Sequence, residues 1–257
     1  MTAADHLQDP AGHVLMELGF GVERSEDGLH GSAPIVPEMH VPGTDVLRLS
    51  VLAAWVDMVT GLLAADVVGP RVPVTLDLDV HLVAPPHDLR WVHVRGRVAK
   101  AGRTVVVPTV EILDGDERRI GFGAASFVVA PDPNVRMPEQ TGLDGRRPGL
   151  ARLRQPLAER VGLQRLEGGA VALPRSDDGL NAAGTVNGGL LALAVEEAAL
   201  AHTPGATLGS MSLRYLQPVR VGPAVAVAEV RDGLGSVEVL DAGADDRVAI
   251  IATTRTA

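Results

Sequence analysis

No cysteine occurs in the 257 residues, so disulfides, thiolate metal sites and a cysteine nucleophile are excluded at the outset. Basic residues are in deficit, 23 Lys and Arg against 32 Asp and Glu, and the resulting net charge of −9 argues against a nucleic-acid backbone as partner. No run of about 18 uncharged apolar residues is present, and the opening MTAADHLQDP has neither a basic n-region nor an apolar h-region. The expectation is a cytoplasmic protein with no membrane partner. There is no P-loop, no GxGxxG after a strand and no GxSxG elbow, which sets aside nucleotide hydrolysis and serine hydrolase chemistry.

What is present is enough apolar material for two modest cores: 46% of the residues are hydrophobic, and the length corresponds to about two domains. The most informative stretch is Asn181 to Glu197, NAAGTVNGGLLALAVEE. Ala182, Ala183 and Gly184 allow a tight loop, Gly188 and Gly189 open a helix, and the apolar run behind them ends in Glu196 and Glu197. Unpaired backbone N–H groups and the positive end of the dipole gather at such a helix start, so Gly188 can offer its amide to a carbonyl oxygen at close range.

The same arrangement occurs earlier. Val51 to Thr60, VLAAWVDMVT, is a second apolar helix carrying one carboxylate, Asp57. Each helix is followed by an alternating strand closing on a proline, 72 to 86 in one case and 209 to 219 in the other. Aligning Asp57 with Glu196 gives an offset of 139 and aligning Pro85 with Pro218 gives 133, so the chain contains an internal repeat of about half its length. In each copy a helix precedes an antiparallel meander, an α+β order. The first copy spans 1–130, with a short helix at 11–19, a strand at 28–36, a central helix at 47–67 and strands at 72–84, 90–100, 103–113 and 118–130. A Pro- and Gly-rich linker covers 131–149. The second copy, 150–257, reads as a helix at 150–162, a strand at 163–173, the glycine loop, the central helix and four further strands.

These residues resemble the hotdog-fold acyl-CoA thioesterases of the phenylacetate-pathway type, duplicated in one chain. That family has an asparagine, a loop, a His-Gly-Gly helix start and an acid on the helix it opens. Here Asn181, then Asn187-Gly188-Gly189, then Glu196 stand in those places, with asparagine where histidine is usual. A basic-Gly-Arg turn is matched by Lys100, Gly102 and Arg103. The resemblance implies two tandem hotdog domains, each a long helix wrapped by a curved antiparallel sheet, docked as an intrachain pseudodimer with acyl-CoA sites at the shared boundary. Geometry independently favours a shared site. Gly188 and Glu196 lie about 12 Å apart along one helix, so an amide from one helix and a carboxylate from the other meet only if the two helices run in opposing directions.

Two composite sites are then possible, and the residues treat them unequally. Carried over by resemblance, the first takes Asn181 and Gly188 from the second half, Asp57 from the first, and a hydroxyl from Thr75. In the reciprocal site Pro42, Leu49 and Leu208 fall where the asparagine, the glycine and the hydroxyl belong, so one working and one decayed site are expected. Gly188 would stabilise the oxyanion, and Asp57 would activate water or attack directly. Its apolar neighbours should raise its pKa. Asn181 would orient the carbonyl or the water, and Thr75 would hold the water. Substrate contacts are expected from Asn187, Gly189 and Trp55, and contacts to the coenzyme A phosphates from Lys100 and Arg103.

Each residue also has a plain structural reading: close helix packing for Gly188, a turn for Asn181, an outer sheet face for Thr75, which shares strand parity with Asp77, Asp79 and His81. Glu196 and Glu197 read as vestigial or solvated. No metal site and no cofactor is expected beyond the coenzyme A of the substrate. Two other functions fit the same pattern. One is a non-catalytic acyl-CoA binding or sensing module, and the other a hotdog hydratase, which Leu62 opposes by standing where a histidine is usual. An uncovered sheet edge points to a homo-oligomer.

Overall fold

A computed structural model describes residues 12–131, 136–137, 149–181 and 183–257. The leader, most of the linker expected over 131–149, and Ala182 lie outside the described residues. Among the described residues, twelve strands form one antiparallel sheet. The first six are β1 (Gly21–Ser25), β2 (Gly28–Pro34), β3 (Pro73–Leu82), β4 (Trp91–Ala101), β5 (Val105–Asp114) and β6 (Arg119–Val129). The second six are β7 (Gln164–Arg165), β8 (Val171–Leu173), β9 (Leu208–Tyr215), β10 (Ala224–Arg231), β11 (Leu234–Asp241) and β12 (Arg247–Thr256). Their order, β1-β2-β4-β5-β6-β3-β9-β12-β11-β10-β8-β7, reads the same from either end once the two halves are matched strand for strand. The duplication is therefore built into the sheet. Its seam is the β3–β9 pair, where Asp79 faces Ser212.

Helix α1 (Leu49–Val68) and helix α3 (Gly188–Ala201) lie against the sheet, one per half, and α2 (Leu157–Arg160) is a single turn. The two long helices are apolar nearly all round because each is covered on several sides at once. By length and composition α1 could also cross a membrane, but 61% of its apolar window is buried inside the molecule, as in a core helix. Two sheet glycines set the depth at which α1 sits. A Cβ on Gly123 would come within 2.8 Å of Val56 Cγ1, and one on Gly96 would press on Val59 and Leu63.

The helices cross antiparallel at close range. A Cβ on Gly189 would lie 2.6 Å from Ala54 Cβ, so only glycine lets the second helix start approach the middle of α1. Asp57 lies one turn beyond Ala54 on the same face and thereby meets Gly188. The other ends meet too, with Glu196 against Leu49 and Ser50.

Several expected elements differ. The helix expected over 150–162 is reduced to α2, since Pro156 cannot continue a helix begun before it. The strand expected over 163–173 is broken into β7 and β8 by a turn through Gly168 and Gly169, both at positive φ. The short helix at 11–19 is a 3-10 helix, Val14–Leu18, and β1 was not anticipated.

Candidate active site

Helix α3 begins at a capped loop. Asn187 is the N-cap, and its Oδ1 accepts the Gly189 N–H at 2.8 Å. The Leu190 N–H reaches the Asn187 carbonyl. That leaves the Gly188 N–H without an acceptor among the described residues. An amide unpaired at a helix start is a ready donor to an anion or a polarised carbonyl.

The Asp57 carboxylate stands beside this amide. A Cβ built on Gly188 would lie 3.3 Å from Asp57 Oδ2 and 3.1 Å from Tyr215 Oη. The site therefore uses the space that glycine leaves. Asp57 Oδ1 accepts a hydrogen bond from Thr75 Oγ1 at 3.3 Å, so Oδ2 is the oxygen turned toward Gly188. Burial pushes the carboxyl up to about 6, against the Thr75 hydrogen bond, which favours the ionised form. Tyr215 Oη donates to the Gly188 carbonyl oxygen at 3.3 Å. Burial, reinforced by the negative charge of Asp57, holds the phenol well above its ordinary value, so it stays neutral.

Strand parity misplaces Thr75, and the structure shows the reason. The register of β3 against β6 slips between Thr75 and Asp77: Thr75 pairs with Phe127 and Asp77 with Ser126. The extra residue, Leu76, reverses the alternation. Thr75 thus shares the helix-facing side with Leu78 and Val80, while Asp77, Asp79 and His81 share the other.

Other expectations need correction. Asn181 does not present its amide oxygen to a substrate: Oδ1 accepts the Ala183 and Thr185 N–H groups at 2.9 and 3.2 Å and staples its own loop. Trp55 lies in the hydrophobic core. It is fully buried and stacked on Phe20, ring centroids 5.2 Å apart, because two residues along a helix turn a side chain to nearly the opposite face from Asp57. Gly189 packs on Ala54 and gives its N–H to the Asn187 oxygen, so both residues serve the helix start and the seam with α1. Lys100 and Arg103 are exposed at the β4–β5 turn. They flank Ala101, reached from Thr75 through Phe127 and Val106, three strand spacings or about 14 Å away.

The reciprocal position is closed by charge. Glu196 and Glu197 are buried, neither solvated nor idle. Glu196 Oε1 accepts the Leu49 N–H at 2.8 Å and its Oε2 accepts Ser50 Oγ at 2.6 Å. Arg48, completely buried, donates to Glu196 at 3.2 Å and to Glu197 at 2.5 Å, and the exposed Arg165 pairs with Glu197 from the rim. Burial alone would lower the Arg48 pKa, but the two carboxylates outweigh it and raise it. The amide at the place of Gly188 is therefore occupied by the molecule's own carboxylate.

Sequence reasoning missed Tyr215 and Arg48. Tyr215 is the one tyrosine of the chain and alternates with Ser210, Ser212 and Arg214, which marks it as inward-facing. Arg48 stands 139 residues before Asn187, so the repeat places it at the helix start facing Glu196.

The thioesterase superfamily model matches residues 50–120, and the model of the acyl-CoA thioesterase N-terminal domain matches residues 176–255. The chain belongs to the thioesterase superfamily. One match covers the helix that carries Asp57, the other the helix that begins at Gly188, and the fold is two tandem hotdog domains. No match was found among curated proteins. Among solved structures, an acyl-ACP thioesterase from Bacteroides thetaiotaomicron aligns over 100% of both chains at 14% identity and a TM-score of 0.58. A 12:0-ACP thioesterase from Umbellularia californica covers 89% of this chain and 96% of its own at 14% identity, TM-score 0.59. A TesB protein of Mycobacterium avium subspecies paratuberculosis covers 95% and 98% at 14% identity, TM-score 0.58. At this identity the likeness is one of fold.

Proposed function

We propose that this thioesterase-superfamily chain hydrolyses an acyl-CoA thioester to free acid and coenzyme A, without a cofactor, at one composite site between its lobes. The observation that carries the reading is the meeting of an unpaired amide, Gly188 N–H, with a partly buried carboxylate from the other lobe, Asp57. The amide would hold the thioester carbonyl oxygen and stabilise the charge that develops there, a contribution of about 3 kcal/mol for one preorganised donor. Asp57, with a pKa near 6, is mostly ionised at neutral pH yet basic enough to take a proton from water. Lys100 and Arg103, on the Thr75 end of the sheet, would meet the phosphates at the far end of the pantetheine arm.

The test is release of free thiol from a panel of acyl-CoA and acyl-carrier-protein thioesters. Turnover of the CoA series, lost in Asp57→Asn and weakened in KM by Lys100→Ala with Arg103→Ala, supports the proposal. Turnover confined to carrier-protein thioesters reassigns the carrier. Binding of acyl-CoA with no thiol released turns the protein into a binding module. We further propose self-association, since β1 and β7 end the sheet without a strand partner among the described residues. A monomer on size exclusion would overturn that.

A further inference from the structure

Resting on the hydrolase reading, we propose that Gly61 admits the thiol arm of the substrate, the pantetheine chain that leaves the thioester sulfur. Glycine in the middle of a helix is destabilising against alanine, and a fold keeps it where backbone or packing demands it. Neither demands it here. Gly61 lies inside the 20 residues of α1 and has no positive φ. Among the described residues a Cβ on it would meet only Phe127 Cε1, at 4.0 Å, an ordinary contact, whereas a Cβ on Gly96, Gly123 or Gly189 would be pressed below 3.0 Å. The repeat agrees. The offset of 139 puts Leu200 at the place of Gly61, so the closed half of the molecule carries a full side chain there, packed against the core.

The place left open is beside the acid. Gly61 is one turn beyond Asp57 on the same face of α1, and both are half-buried. The helix crosses the sheet in step with its strands, because four residues advance about 6 Å and neighbouring strands stand about 5 Å apart. Asp57 accepts the hydroxyl of Thr75 on β3, and Gly61 faces Phe127, the residue paired with Thr75 on β6. The same row continues through Val106 to Ala101, flanked by Lys100 and Arg103.

A thioester carbonyl held at the Gly188 amide beside Asp57 sends out two arms. Toward the start of α1 the way is shut, since Gly189 is packed on Ala54. Toward its end the first obstacle would be a side chain on residue 61, and there is none. An arm laid along that flank passes Gly61 in the direction of the two cations, which makes it the arm that ends in phosphates.

The experiment is Gly61→Leu, which copies the closed half, beside wild type, Gly61→Ala and Asp57→Asn. Each is assayed on a short and a long acyl-CoA that the wild type turns over, with calorimetric binding of free coenzyme A as a second readout. Gly61→Leu should raise KM about 10-fold or more, by the same factor for both acyl groups, and weaken coenzyme A binding to match. The acidic limb of kcat/KM should stay at about pH 6, since Asp57 is untouched. Gly61→Ala should melt no lower than wild type, because its methyl has room. A lower melting temperature would show that packing holds the glycine and would overturn the proposal. A Gly61→Leu protein whose KM and coenzyme A affinity stay within about twofold of wild type would overturn it too. So would a penalty absent with the short acyl group and growing with acyl length, which puts the acyl chain at Gly61. With Asp57→Asn inactive, each of these results leaves the hydrolase reading standing. A wild type inactive on every thioester overturns both.

Discussion

Oε1 of Glu196 accepts the backbone N–H of Leu49 at 2.8 Å, at the position that the internal repeat makes equivalent to Asp57 and the Gly188 amide. One methylene separates the two outcomes. The longer glutamate reaches the helix-start amide and plugs it, whereas Asp57 lies beside Gly188 without accepting its N–H. Removing the plug should therefore not create a second site, because the buried Leu49 N–H, Ser50 hydroxyl and one arm of Arg48 would lose their acceptor while Glu197 held the other arm in place. Glu196→Ala is expected to lower stability by about 3 to 5 kcal/mol, read from denaturant unfolding, while kcat of the folded fraction stays near wild type. Loss of activity without loss of stability would reverse the assignment of the two positions.

The raised pKa of Asp57 makes a prediction about stability as well as rate. The folded chain holds this proton to about pH 6, whereas the unfolded chain releases it near 3.8. Between those values the native state binds more protons, so stability falls as pH rises through the window and stays reduced above it. Asp57→Asn should then be more stable than wild type at pH 8 by about 3 kcal/mol at most and equal to it near pH 3.5. The same variant should lose activity by about 10²- to 10⁴-fold. Thermal melts at the two pH values, beside thiol release, check both halves.

Activity should carry an acidic limb. The kcat/KM profile is expected to rise with an apparent pKa of about 6, as Asp57 ionises, with no alkaline limb from Tyr215 below pH 10. In Thr75→Val the hydrogen bond that favours the ionised carboxylate is gone, so the limb should move to higher pH. A limb that stays in place would remove Thr75 from the site.

The adjacent glycines should fail differently. A methyl on residue 188 would touch Tyr215 Oη and Asp57 Oδ2 at 3.1 and 3.3 Å, so Gly188→Ala is expected to fold and to lose most of its kcat. A methyl on residue 189 meets Ala54 at 2.6 Å, between the lobes, and Gly189→Ala should lower stability by about 1 to 3 kcal/mol. Paired unfolding and kinetic measurements separate the two.

Much of this was legible in the chain because duplication leaves a numerical trace. The juxtaposition of Asp57 with Gly188 follows from an offset of 139 and from eight residues making about 12 Å of helix, and the same offset puts Leu49 at the reciprocal position without revealing that Glu196 fills it. What local pattern could not carry was anything decided by a hydrogen bond or a bulge. Asn181 looks like a catalytic amide and Asn187 like a substrate contact until their oxygens are found in a turn and a cap. Trp55 looks like a pocket wall until Phe20, 35 residues earlier, stacks on it. Glu197 and Arg165 find each other through packing that neither segment encodes alone.

The bulge at Leu76 makes the reach of the Thr75 hydroxyl a matter of counting. A strand that kept Leu76 but paired without the bulge would leave every side chain of the cluster chemically unchanged and swing the hydroxyl to the solvent side of the sheet, so the one unpaired residue decides whether Asp57 has a donor beneath it.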